Sequence, residues 1–343
     1  MTSAVAAPRS ARSAVVSRPP LRPVLTWAWI GLAVVALQAY VYVSWFASGD
    51  AAHIGTGADP VPRHVRIAVV AFEVFSTTAA AVAIVLVARR VRRERRLTTD
   101  AMLMIAWVLT WWHDPIINWL RPTIMYNAYG VNLGSWTERV PGWFSANAHT
   151  MTEPVLIIGT VYVWMGLLCA VLADAVMRRV RARRAGTSML AAFLVAWAAV
   201  AVFEATMEIV ASRLQLSAYP SSIHALTLWA GTTHQLPVYG LLLWSLVLTA
   251  VGALRHTRDD QGRTAVERGS ERLPIGARWV VVARLLAVVG FVNVVGLGYD
   301  AVMIVTSTHA GPVATYPSYL RTQQCGPGTS IACPGPGVPL VGR

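Results

Sequence analysis

Seven stretches of roughly 20 apolar residues dominate the chain, and each is long enough to cross a hydrocarbon layer of about 30 Å as a helix. They fall at about 24–46, 66–88, 100–119, 153–177, 188–210, 226–254 and 279–305. Lipid offers backbone amides no partner, so such stretches become helices. The expected fold is all-α: a polytopic integral membrane protein with a bundle of about seven transmembrane helices over 23–306. An arginine-rich arm, 1–22, precedes the bundle and is too polar to pack, so it is read as disordered. A Gly/Pro-rich tail, 307–343, follows. The first span is too long for a signal-peptide core and lacks a convincing cleavage site, so it is retained. Composition agrees: 55% of residues are hydrophobic, 13% are charged and the mean hydropathy is +0.52, whereas soluble domains carry about 25% charged residues.

Charge orients the bundle. All 29 basic residues are arginine. Most lie in alternate connections: the arm, the Arg89 to Arg96 cluster, the Arg178 to Arg184 cluster and the Arg255 to Arg278 loop. The positive-inside rule then puts the N-terminus inside and the C-terminus outside a multi-pass protein of the cell membrane. The net charge of +13 reflects topology and anionic headgroups, with no nucleic-acid partner implied. Cys169 lies within a span, whereas Cys325 and Cys333 flank a Gly/Pro-rich segment of the outer tail, where a disulfide is one possibility.

A polar residue costs several kcal/mol to bury unpaired in lipid, so an intramembrane carboxyl is a functional candidate by default. Glu73, Asp114, Glu153, Glu204, Glu208, His234 and Asp300 all fall in the outer third of their spans. Asp174 instead sits at the inner end of its span beside arginines, as a cap or a headgroup-facing charge.

Within WWHDPIINW, helical spacing stacks Trp107, Trp111, Asp114 and Asn118 on one stripe. Pro115 deprives the Trp111 carbonyl of its donor and kinks the helix, which is tolerated only beside a cavity or a packed polar partner. Asp114 is either chemistry or a bond to a neighbouring helix. Glu204 and Glu208, at i and i+4, share a face. Two carboxylates there resist being charged together, which supplies a proton donor; alternatively each pairs separately, with His234 or Arg213. The outer connection 120–152 is long and carries Tyr126, Tyr129, Trp136, Trp143 and Phe144, the profile of a lid or of an interfacial aromatic belt. His149 and Glu153, four apart, make another polar face at the entry to the fourth span.

Missing chemistry excludes several classes. Without lysine there is no retinal or pyridoxal Schiff base, and no HxxxH or HxxH pair exists for a di-iron centre. There is no P-loop, no GxSxG and no Asp-rich diphosphate motif. What remains is proton chemistry, with no cofactor and no metal.

The series HDP (113–115), NW (118–119), YN (126–127), NLGSW (132–136) and PGWFSANAHTMTEP (141–154), followed by the Glu204/Glu208 span, resembles the AveC-like spirocyclases of actinobacteria, from about Trp27 to about Tyr319. The resemblance implies closure of a dihydroxyketone polyketide macrolide of the avermectin type into a spiroketal, with dehydration of one ring as an additional activity. Such closure passes through an oxocarbenium ion and needs an acid and a base. The expected catalytic set is Asp114, Glu204 and Glu208, with Glu153 as a further carboxylate and His113 and His149 orienting them. Trp111, Trp112 or Trp143 would add cation–π attraction of about 0.5–2 kcal/mol. Asn118, Tyr126, Asn127, Trp143, Ser145, His149 and His234 would face the apolar macrolide. Two other readings use the same carboxyls: a proton-coupled transporter of an apolar metabolite, and an acid-initiated membrane terpene cyclase.

Overall fold

The computed structural model describes residues 23–321 and 324–341, so the arm expected to be disordered lies outside the described residues. Seven helices follow one another: α1 (Pro23–Ser48), α2 (Arg63–Glu94), α3 (Thr99–Val108), α4 (Thr160–Arg183), α5 (Met189–Arg213), α6 (Val238–His256) and α7 (Ala277–Ser307). A π-helical turn, Val155–Gly159, leads into α4. Among the described residues six helices are long and apolar enough to cross a membrane. The expectation of seven is corrected at 100–119, where α3 has only 10 residues and a 3-10 turn, Trp111–Asn118, follows it.

Burial explains that break. Almost every residue of α3 is buried, whereas α1, α2 and α5 expose long apolar faces. A segment surrounded by protein need not keep one continuous helix, because neighbours rather than lipid meet its freed polar groups. The sixth span is also corrected. Residues 226–237 are not helical, and β5 (Thr227–Leu228) pairs with β6 (Leu236–Pro237). Trp229 and Gly231 between them hold positive φ, 51° and 79°, which a right-handed helix cannot accommodate.

Small residues set the closest helix contacts, as is usual where lipid removes the hydrophobic drive for helix association. α1 crosses α7 at Gly31 and Gly290, where a Cβ on either residue would collide with the other helix's backbone. Gly166 of α4 makes room for the Trp107 indole of α3 in the same way.

The bundle has two unlike ends. At the first, Thr99 Oγ1 donates to the Gly262 carbonyl at 2.7 Å and the Val24 amide reaches the Arg268 carbonyl at 3.3 Å. Here the arginine clusters gather. At the other end, loops fold into a roof. β1 (Met125–Tyr126) pairs with β4 (Ser217–Ala218), and β2 (Asn132–Gly134) with β3 (Thr152–Pro154). Asn132 ties this roof to the α1–α2 connection through the Ile54 amide at 2.9 Å, and Glu73 of α2 accepts from the Val131 amide at 2.6 Å. The tail folds back onto the same end: fully buried Arg121 donates to the carbonyls of Gly335, Val338 and Gly311 at 2.7–2.9 Å. Cys325 and Cys333 form a disulfide in this tail.

Candidate active site

The broken third segment brings Asp114 inward. In a 3-10 turn each amide pairs with the carbonyl three residues back, so Pro115 orphans the carbonyl of Trp112 rather than that of Trp111. The Trp136 indole, from the roof, donates to that Trp112 carbonyl at 2.5 Å. The four-residue stripe is thus corrected: Trp107 and Asp114 face a cavity, while Trp111 turns away to stack edge-on against Trp136, centroids 5.2 Å apart. Asn118 Oδ1 accepts from the amides of Thr123 and Ile124, at 2.6 and 3.0 Å, and so holds the turn into the roof.

The cavity lies between α4, α5, α6, α7 and the 3-10 turn, beneath Ile124 and Tyr126 of the roof. The space in which a water's centre can sit is about 100 Å³, against about 10–15 Å³ for a single water. Four carboxyls line it: Asp114, Glu204, Glu208 and Asp300. Its remaining wall is aromatic and aliphatic, with Trp107, Trp244, Met165 and Leu248 among the residues present, and no arginine among the described residues lines it.

Each carboxyl is held differently. Asp114 accepts from two phenols, Tyr126 at 2.7 Å and Tyr162 at 3.0 Å, the solvation suited to a carboxylate. Glu208 accepts from Tyr219 at 2.9 Å. Glu204 Oε2 is buried with no hydrogen-bond partner among the described residues, the surroundings suited to a protonated acid. Asp300 Oδ2 lies 2.8 Å from His113 Nδ1, a pair buried almost completely against α7. Burial, followed by the neighbouring Asp114 and Glu208 charges, pushes the roof phenols of Tyr126 and Tyr219 well above their ordinary range. Both therefore remain O–H donors at neutral pH.

The other expected site residues lie elsewhere. Glu153 is buried in β3 and does not line the cavity, and its Oε2 has no hydrogen-bond partner among the described residues. His149 sits in a separate 3-10 turn and pairs with Glu138 at 2.8 Å, half exposed, so the two share no helix face. Asn127, Trp143 and Ser145, expected to face the macrolide, do not line the cavity. Asn127 binds the Gln215 carbonyl and the Tyr129 amide, at 2.8 and 2.9 Å. Ser145 caps the carbonyls of Asn118 and Trp119, and Trp143 stacks on Trp119 at 5.2 Å. Trp112 is buried and donates to Asn293 at 2.9 Å. His234 lies on the 229–235 turn beside Trp229, outside the cavity wall. Local sequence gives the reason: it shows which residues are polar or aromatic, whereas a loop residue's direction depends on what it packs against.

Tyr162, Tyr219, Tyr299 and Asp300 also line the wall but are absent from the expected catalytic and substrate-facing sets. Asp300 carried a signal, as one of the carboxyls at a common depth. A lone tyrosine in an apolar span, as at Tyr162, carries none.

The cavity thus combines room for water inside a bundle of apolar helices with a wall of carboxyls, phenols and aromatic rings. The chain belongs to the spirocyclase AveC-like family, whose sequence profile matches residues 94–322. That match begins near the end of α2, so α1 and most of α2 lie outside it. The family is one of enzymes acting on polyketide-type substrates. No curated protein and no solved structure matches the chain.

Proposed function

We propose that the cavity closes a dihydroxyketone polyketide, of the macrolide kind, into a spiroketal. The observation that carries the proposal is the convergence of Asp114, Glu204, Glu208 and Asp300 on one apolar cavity, with phenols supplied to some and withheld from another. One substrate hydroxyl adds to the ketone to give a hemiketal. Glu204, sharing its helix face with Glu208, protonates the hemiketal hydroxyl, which leaves as water. The oxocarbenium ion that remains is stabilised by Asp114, whose charge is steadied by Tyr126 and Tyr162, and by the faces of Trp107 and Trp244. The second hydroxyl attacks this carbon, and its proton passes to Asp114. One proton is given and one taken, so the protein is restored when Asp114 returns its proton to the Glu204/Glu208 pair.

The step is a redox-neutral loss of water and needs no electron-carrying cofactor. Dehydration of a spiroketal ring calls for the same acid and base and is included in the proposal. His113 and Asp300 act as positioning residues: a buried imidazole braced on a carboxylate fixes the α7 wall. We further propose that the arginine end faces the cytoplasm of the cell membrane and that the roof and tail lie outside. The arginine bias supports this orientation, and the disulfide suits an oxidising compartment. A transporter would use the same carboxyls, but membership in a family of enzymes favours catalysis.

The test is incubation of the purified protein in lipid nanodiscs with a dihydroxyketone macrolide precursor, with no cofactor added. The expected product has lost one water and carries a single spiro-centre configuration. An unchanged substrate, or a mixture of the two spiro-epimers at the uncatalysed rate, sinks the proposal.

A further inference from the structure

A second, smaller cavity adjoins the first on the side of α2 and α5 and shares Tyr126, Glu204 and Glu208 with it. Its outer edge is formed by Phe72 of α2 and by Met207 and Ala211 of α5, all partly exposed. α2 and α5 both pack on α4 but have no extended packing on each other, which leaves a crevice over α4. Phe75, Val202 and Val210 on the flanking helix faces are exposed apolar side chains, as on a surface that meets lipid.

We infer that this crevice is a lateral portal through which the apolar substrate passes from the bilayer to the carboxyl cavity, with Phe72, Met207 and Ala211 as its mouth. The substrate class rests on the cyclisation reading above. Three observations converge on it. The roof covers the loop end of the cavity with Ile124 and Tyr126, and Leu216 and Ser217, at the start of the β4 strand pinned to β1, supply the portal's floor. The carboxyl cavity is too small to take a whole macrolide, so part of the molecule must lie outside it, and the crevice is continuous with it. The mouth combines a flexible thioether at Met207 with a small residue at Ala211, which lets bulky apolar groups of varied shape pass.

Two measurements test the portal without relying on one variant's folding. The first places a nitroxide on Ala211→Cys in lipid nanodiscs; Cys169 is buried and the other two cysteines are paired, so labelling is selective. The label should be relaxed more by oxygen, which concentrates in lipid, than by a water-soluble nickel chelate. A long-chain δ,δ′-dihydroxyketone should immobilise it, while the same label at Val202 stays mobile. The second compares Ala211→Trp with Val202→Trp in turnover. The former should raise KM for the dihydroxyketone about tenfold with kcat within about twofold, the pattern of impaired access rather than impaired chemistry, and the latter should change neither. A label at 211 that answers mainly to nickel, or ignores saturating dihydroxyketone, overturns the portal, as does Ala211→Trp with unchanged KM. Immobilisation without spiroketal formation would leave the portal standing and remove the cyclisation reading. Normal turnover with an indifferent label would do the reverse.

Discussion

Two buried polar clusters occupy opposite ends of the bundle, and they are built on opposite principles. At the arginine end, Asp174 is buried among Arg255, Arg258 at 3.1 Å, Arg178 at 2.8 Å and His256 at 2.9 Å. Asp100 meets Arg255 and Arg90, each at 2.8 Å, and Glu267 meets Arg284 at 2.8 Å. Every one of these carboxyls has a guanidinium. In the cavity, four carboxyls have phenols, one histidine or nothing, and among the described residues no arginine lines it. A carboxylate neutralised by fixed cations holds helices together and has little reason to exchange a proton. Carboxyls kept from cations, beside space for a substrate, are where proton transfer can be used. The expectation that Asp174 caps a helix or faces headgroups is therefore replaced: it is the buried centre of an ion network.

The sharpest way to break this comparison is to neutralise one carboxyl at each end. Asp114→Asn keeps shape but can neither take nor return a proton. Turnover per folded molecule should fall by about 10²- to 10⁴-fold, with membrane expression near normal. Equal loss of turnover and of folded protein would make Asp114 a packing residue. Asp174→Asn should do the converse. It leaves the buried Arg255 guanidinium short of an anion, a loss of about 3 kcal/mol, visible as a lower unfolding midpoint in detergent with turnover per folded molecule near wild type. If Asp174→Asn instead abolished turnover without changing stability, the division of labour between the ends would be wrong.

Smaller effects sharpen the same contrast. Tyr162→Phe removes one of two donors to Asp114 and should lower kcat about tenfold, the scale of one hydrogen bond to a charged group. Combined with Asp114→Asn it should add little further loss, since both act on one charge; additive losses would separate them. Ala185→Cys and Thr233→Cys, exposed beyond the arginine and roof ends respectively, should react with impermeant thiol reagents from opposite sides of the membrane. Labelling from one side would undo the proposed orientation. The smallest expected change is none: chelator treatment of purified protein should leave turnover unaltered, and recovery by one specific metal after loss would refute acid/base closure by side chains alone.

Much of this was legible without the fold. Hydropathy fixes the environment because a lipid-facing helix must be apolar over its whole length, and the ends of α1, α2, α5 and α7 fall within a few residues of expectation except for the longer C-terminal end of α2. Glu204 and Glu208 reach one cavity because i and i+4 spacing is a local property of a helix. The break after Val108 was legible only in kind: Pro115 announces it, but the register of the turn decides that Trp112, not Trp111, needs a donor, and only the fold supplies Trp136. The partners of Asp114 could not be read at all. Tyr126 and Tyr162 lie 12 and 48 residues away, and nothing local distinguishes the latter from any tyrosine in an apolar span. Sequence by itself determined where the chain lives and which groups are expensive to bury there. Tertiary structure decided which of them received a cation, which a phenol and which nothing, because a buried carboxyl's protonation and use depend on the few atoms packed against it.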